Sequence, residues 1–295
     1  MLKQTLNRAR IEGIVSEIDL QESSFKKNGA DQPCIKGTVK VRVDTKISGK
    51  DVTLEVPVQV FAGKFTTTGN PNPAYESAKK VMDSFVSIAA SDEASADRIR
   101  ITGASLAMNE YYKNDKLISF PRISSSFFTK IKKEDCKPEA SFEITFMVGS
   151  RKEEMNKDEE PTGRLIVNGA IVQYGGKVDV MPFYVESEKA KEGVSNWDDG
   201  DTVTVRGKLN FSSRTETVVR KMEFGDDDEY ERTISVSELI ITGGSAALGE
   251  DDENKLDPAE MTKGLAERTA RLNALKEAPA ATKAVKPQEK KDFGF

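Results

Sequence analysis

The segment CIKGTVKVRV at residues 34–43, followed by VTLEVPVQVF at residues 52–61, alternates apolar and polar side chains. In the first stretch Ile35, Val39, Val41 and Val43 share one face, and Lys36, Lys40 and Arg42 the other. Val52, Leu54, Val56, Val58 and Val60 repeat the pattern in the second. A period of two marks a strand with one buried and one wet face. The segment between them, Ile47-Ser48-Gly49-Lys50-Asp51, predicts a hairpin turn. Upstream, a looser alternation over residues 9–20, through Ile11, Ile14, Val15 and Ile18, predicts an earlier strand. Downstream the period changes. Asn72-Pro73 is a helix start, with a capping side chain and a proline in the first turn. Ala74, Ala78, Val81, Met82 and Phe85 follow at helical spacing, and strands resume at 98–101, 106–112 and 118–131.

Three strands, a helix and further strands is the order of a five-stranded Greek-key barrel, the OB-fold. The second half repeats it. Strand patterns cover 142–148, 165–174, 178–185, 201–211, 218–224 and 232–241, with a charged loop at 151–160 and a Gly175-Gly176 turn. Ile35-Lys36-Gly37-Thr38-Val39 resembles Val167-Asn168-Gly169-Ala170-Ile171, and Val56-Pro57-Val58-Gln59-Val60 resembles Met181-Pro182-Phe183-Tyr184-Val185. The run from Asp97 to Gly103 resembles that from Asp201 to Gly207. The order is the same in both halves, and the second copy lacks most of the helical insertion. The fold class expected is mainly β: two tandem OB-fold-like barrels plus a flexible C-terminal tail containing a short helix. The barrels span 1–133, with its inserted helix near 72–85, and 139–243. Residues 244–295 comprise an acidic linker around Glu250-Asp251-Asp252-Glu253, a helix at about 257–277, and a disordered Ala/Lys/Pro-rich tail with an aromatic tip.

Composition narrows the chemistry. The 295 residues carry a formal net charge of −5, with 37% hydrophobic and 32% charged residues. Histidine is absent, which removes Ser-His-Asp and Cys-His sites and histidine-ligated zinc. Cys34 and Cys136 stand alone, so neither a disulfide framework nor a zinc site is expected. There is no Walker A loop and no Gly-rich dinucleotide fingerprint. Asp and Glu number 49, but most lie in charge runs that read as solvated loops. No enzyme, cofactor or metal is expected. No apolar stretch is long enough to cross a membrane and the N-terminus is polar, so the expected location is cytoplasmic, the host cytoplasm if the protein is viral.

Binding a single strand needs cations for the phosphates and aromatic faces for the bases. The first barrel offers Phe61, Lys64 and Phe65 at the end of its third strand, then Tyr111, Tyr112, Lys113 and Lys116 around a turn, then Phe120 and Arg122. The second offers Tyr174 and Lys177, Phe211 with Arg214, and Arg220 with Lys221. Trp197 and one of Phe183 and Tyr184 are further options, while Phe85, Phe142 and Phe146 read as core.

Two barrels and a tail ending in Asp292-Phe293-Gly294-Phe295 resemble the tailed-bacteriophage type of single-stranded DNA-binding protein. The resemblance implies a non-enzymatic protein that coats single-stranded DNA in replication, recombination and repair. It also implies that Asp292, Phe293 and Phe295 recruit replication or recombination proteins. The tip departs from the family's acidic pattern in having Lys290-Lys291 just upstream. Two alternatives come from other classes. One is a structural or adaptor protein, such as a virion component of two β-barrels. The other is a nuclease with an acidic magnesium site, for which Asp179, Glu186 and Asp201 would be the carboxylates.

Overall fold

The computed structural model describes residues 2–277 except 28, 221, 223 and 225–227; several side chains between 214 and 232, those of Arg214 and Arg220 among them, also lie outside the description. Strands β1 (Asn7–Lys27), β2 (Ala30–Ile47) and β3 (Lys50–Gly63) form an antiparallel meander. Helix α1 (Pro73–Ser84) leads to β4 (Arg98–Lys113) and β5 (Lys116–Ser124). β4 returns antiparallel to β1, and β5 lies between β4 and β3, parallel to β3. The barrel therefore closes in the order β1-β2-β3-β5-β4, which is the OB-fold topology. A short strand β6 (Thr129–Ile131) adds to the edge of β4.

The same circuit recurs in β7 (Glu139–Met155), β8 (Pro161–Val172), β9 (Val178–Val185), β10 (Thr202–Arg220) and β11 (Asp228–Gly244). β10 pairs back with β7, and β11 is parallel to β9. The quoted alternation accounts for the first core: Ile35, Val39, Val41, Val43, Leu54, Val56, Val58 and Val60 are all buried. Each such burial stabilises by roughly 1.5–3 kcal/mol. The second core is aromatic. Phe146 stacks on Phe183 with ring centroids 4.7 Å apart, and Trp197 meets Phe146 edge-on at 6.3 Å.

Several boundaries differ from the sequence pattern. β1 and β2 extend over residues 21–33 as a hairpin arm outside the core, where polar side chains carry no alternation. The first half of the expected loop at 151–160 extends β7 and the rest forms the turn into β8, and the segment at 201–211 runs on through residue 220 as β10. A helix α2 (Glu188–Ser195), capped by Ser187, occupies the insertion point of the second barrel, so the insertion is shortened rather than mostly lost. The matched Pro57 and Pro182 lie on corresponding strands but on different rungs. Pro57 faces Lys40, beyond Gly37, whereas Pro182 faces Asn168, before Gly169.

The barrels share a continuous sheet. β1 pairs antiparallel with β7 from Asn7↔Ile144 to Glu12↔Glu139. Ile11 faces Ile101 in one barrel as Ile144 faces Val205 in the other, so Ile11 and Ile144 are equivalent rungs. The joint thus has the self-complementary form of a two-fold interface, built within one chain. A polar network fastens it. The Asn7 side chain donates to the Leu106 carbonyl (2.7 Å) and accepts from the Leu106 amide (3.0 Å). Gln173 donates to the same carbonyl (2.8 Å). Helix α3 (Pro258–Glu277) lies across both barrels, with Arg268 bonded to Glu110 of β4 and Arg271 3.2 Å from Asp179 of β9. Met261, on the helix itself, is fully buried. Near the joint, Arg100 and the Lys137 amide hydrogen-bond to the buried Glu12 carboxylate and, against the cost of desolvation, hold its pKa below the usual range. Among the described residues no helix is long and apolar enough to cross a membrane.

Candidate nucleic-acid interface

On the outer face of the first barrel, the register sets Gln21 beside Lys36 and Lys36 beside Phe61 across β1, β2 and β3. The β3–β5 pairing brings Arg122 and Ser124 alongside, and these side chains with Gln59 line one open groove. Phe61 is 58% exposed. Its ring meets that of Phe25 edge-on at 5.3 Å, so the hairpin arm supplies a second aromatic at the groove's end. Lys64 lies 5.9 Å from the Phe65 ring just beyond. Among the described residues Lys36 and Arg122 have no carboxylate partner, whereas Lys40 is paired with Glu17 and Arg42 with Asp44 and Glu93. Positive charge is therefore free at the groove and neutralised further along β2.

The β4–β5 hairpin flanks the other end. Asn114 and Asp115 both take positive φ, as a tight two-residue hairpin turn requires, and Lys113 and Lys116 face each other across it. Tyr111 meets Phe120 edge-on at 6.4 Å. Alternation places Tyr111, Phe120, Arg122 and Ser124 on the same outward face, leading towards Phe61. Tyr112 falls on the opposite face with Glu110 and Leu117, on the side of α3, and is separated from the others.

The second barrel is different. Tyr174 and Lys177 sit at the β8–β9 turn, with Tyr174 89% exposed. Phe211 is a correction: it is 4% exposed and belongs to the core, so it offers no ring to a base. It follows Leu209 at period two, a spacing that already points it inward. Trp197 is core as well. Arg214 and Arg220 lie on β10, but their side chains, like Lys221 as a whole and Asp292, Phe293 and Phe295, fall outside the described residues. The β8–β9 outer face is closed. Arg164 stacks on the Tyr184 ring at 4.3 Å and is ringed by Glu154 (3.2 Å), Glu186 (3.7 Å) and Glu238 (3.1 Å). Burial pushes the Tyr184 phenol up, and the nearby glutamates add to the shift. From the first barrel, Ser48 donates a hydrogen bond to Glu186. An acidic, partly covered face repels phosphate.

Asp179, Glu186 and Asp201 serve separate structural contacts, with Arg271, Arg164 and the Asp198 amide. Among the described residues no group of three potential metal ligands converges. Sequence reasoning missed Phe25, Gln21 and Gln59. The Asn28-Gly29 dipeptide, a strong hairpin signal, could have placed Phe25 on an arm beside the third strand.

No curated protein matches the sequence. Two solved structures of the single-stranded DNA-binding protein from Thermus aquaticus share the fold at 9% identity. A deletion mutant aligns over 85% of this chain and 98% of its own, with a TM-score of 0.52. The wild type aligns over 85% and 97%, with a TM-score of 0.51. The likeness extends across both barrels, so the tandem arrangement itself is shared. The YorF family model matches residues 5–278, and the chain belongs to the YorF family.

Proposed function

We propose that this protein binds single-stranded DNA on the outer face of its first barrel, as a non-enzymatic coating protein. One observation carries the reading. Exposed Phe61, backed by Phe25, shares a groove with the unpaired cations Lys36 and Arg122, on the strand face that OB-folds use for oligonucleotides. Stacking on such rings contributes about 1–3 kcal/mol per base and tolerates any sequence. Lys64, Phe65, Tyr111, Lys113, Lys116 and Phe120 extend the same surface, with Tyr112 supporting the hairpin from behind. In this reading the unit 1–133 binds and 139–243 acts chiefly as a buttress, because its equivalent face is acidic. Tyr174 and Lys177 form a peripheral contact. The cellular setting we propose is strand protection in replication, recombination and repair of the bacteriophage type, with the tip of 244–295 recruiting partner proteins.

Titration of fluorescent oligo-dT and a matching duplex at two salt concentrations tests this. Tight, salt-weakened binding to the single strand with little to the duplex is the expected result. Absence of binding at low salt would overturn it. The same titration on a chain lacking its last four residues separates the tail, since DNA binding is then expected to be unchanged.

A further inference from the structure

A second groove lies on the joint between the barrels, on the outer face of β1, β7 and β10. The register builds it in two rows: Arg8, Glu143 and Arg206, then Arg10, Ser141 and Lys208. Arg206 occupies Glu143 at 2.9 Å. Arg8, Arg10 and Lys208 have no carboxylate partner among the described residues, and both arginines are exposed. Like charges gathered on one face repel one another. Glu139 also lines the groove, so its four cations outnumber its two carboxylates by two, an excess that points to an anionic ligand on a chain of net charge −5.

We propose that this seam is a second contact for the phosphodiester backbone of a single strand that has already engaged the first barrel. The inference rests on the reading of the chain as a single-strand binder. Three features support it. Cations two residues apart on one strand are about 6.7 Å apart, a spacing suited to successive phosphates of an extended strand. Ser141, between Arg10 and Lys208, donates its hydroxyl to Glu139, so that carboxylate is already engaged within the groove. Both grooves open on the outward side of β1, with Arg8 and Arg10 at one end and Gln21 at the other, kept in phase by the bulge between Val15 and Glu17. From residue 10 to residue 21 the strand runs about 36 Å at ~3.3 Å per residue, so only a strand longer than one OB-fold's span reaches both.

The test combines Arg8→Gln, Arg10→Gln and Lys208→Gln in the full chain and titrates oligo-dT of roughly 8 and roughly 30 nucleotides, the shorter within one OB-fold's site. The wild type is expected to bind both, and the variant to bind the short one equally well. On the long one, affinity at low salt is expected to fall about tenfold or more. The slope of log K against log salt should shrink by about 2, at about 0.7 per lost phosphate contact. Arg8→Lys with Arg10→Lys keeps the charge and is expected to keep the slope, which separates electrostatics from damage to the sheet. Unchanged long-strand binding in the triple variant overturns the seam contact, as does equal weakening on both lengths. A wild type that binds neither length overturns the function itself.

Discussion

Alanine in place of Gly37 is expected to destabilise the protein by about 3 kcal/mol or more, from overpacking and backbone strain at one position. Gly37 sits on β2 with φ at +145°, a region that side chains with a Cβ rarely adopt. A Cβ there would lie 1.9 Å from the Asp19 carbonyl oxygen of β1. That oxygen belongs to the backbone of the neighbouring strand, so it cannot move aside as a flexible side chain would. Relief requires parting β1 from β2 where Leu20 faces Gly37. Gly49 is the control. It also has positive φ, +80°, but nothing lies within 4 Å of its would-be Cβ. Its alanine variant bears only the conformational cost, on the order of 1 kcal/mol. Urea unfolding of both variants measures the difference. Equal losses would show that the close approach of β1 and β2 does not constrain the barrel.

Truncating Phe61 to alanine is expected to weaken oligo-dT binding about 5- to 150-fold, the loss of one stacked base at about 1–3 kcal/mol. Stability should change little, because the ring is already 58% exposed and gives up only its edge contact with Phe25. Phe61→Trp keeps an aromatic face and is expected to retain binding. Phe25→Ala should produce a smaller loss, and the double variant less than the sum, since Phe25 acts partly by holding Phe61. Tyr184→Ala, on the equivalent strand of the second barrel, is expected to leave affinity unchanged, because Arg164 already covers that ring. Titrations at matched salt decide the matter. Full affinity in Phe61→Ala would remove the groove from consideration as a base-stacking surface.

The fold was legible where one face of a strand is buried. Residues 34–43 and 52–61 alternate because every second side chain enters the barrel, and three strands ahead of a helix start with further strands after it narrowed the topology to an OB-fold. The arm at 21–33 was not legible as strand, because its side chains are mostly polar and none of those described is buried. Phe25 was lost with it. The groove itself was half legible. Phe61 and Arg122 are outward members of alternating strands, but their proximity depends on the parallel β3–β5 pairing, which no local pattern encodes. The closed acidic face of the second barrel was hidden for the same reason: Glu154, Glu186 and Glu238 come from three distant segments. Phe211 was misjudged by weighing its neighbour Arg214 above its own strand period.

β1 gives one edge of its first half to β4 and the other to β7, and β7 does the same with β10 and β1. Neither barrel closes without a strand that the other also holds. Thermodynamically the pair is one cooperative unit, since any opening that frees residues 7–12 exposes unpaired backbone on both sides at once. Two barrels on a flexible tether could lose one and keep the other. Here a defect deep in the second barrel is felt in the first as lost occupancy of the native state, and duplication confers no redundancy.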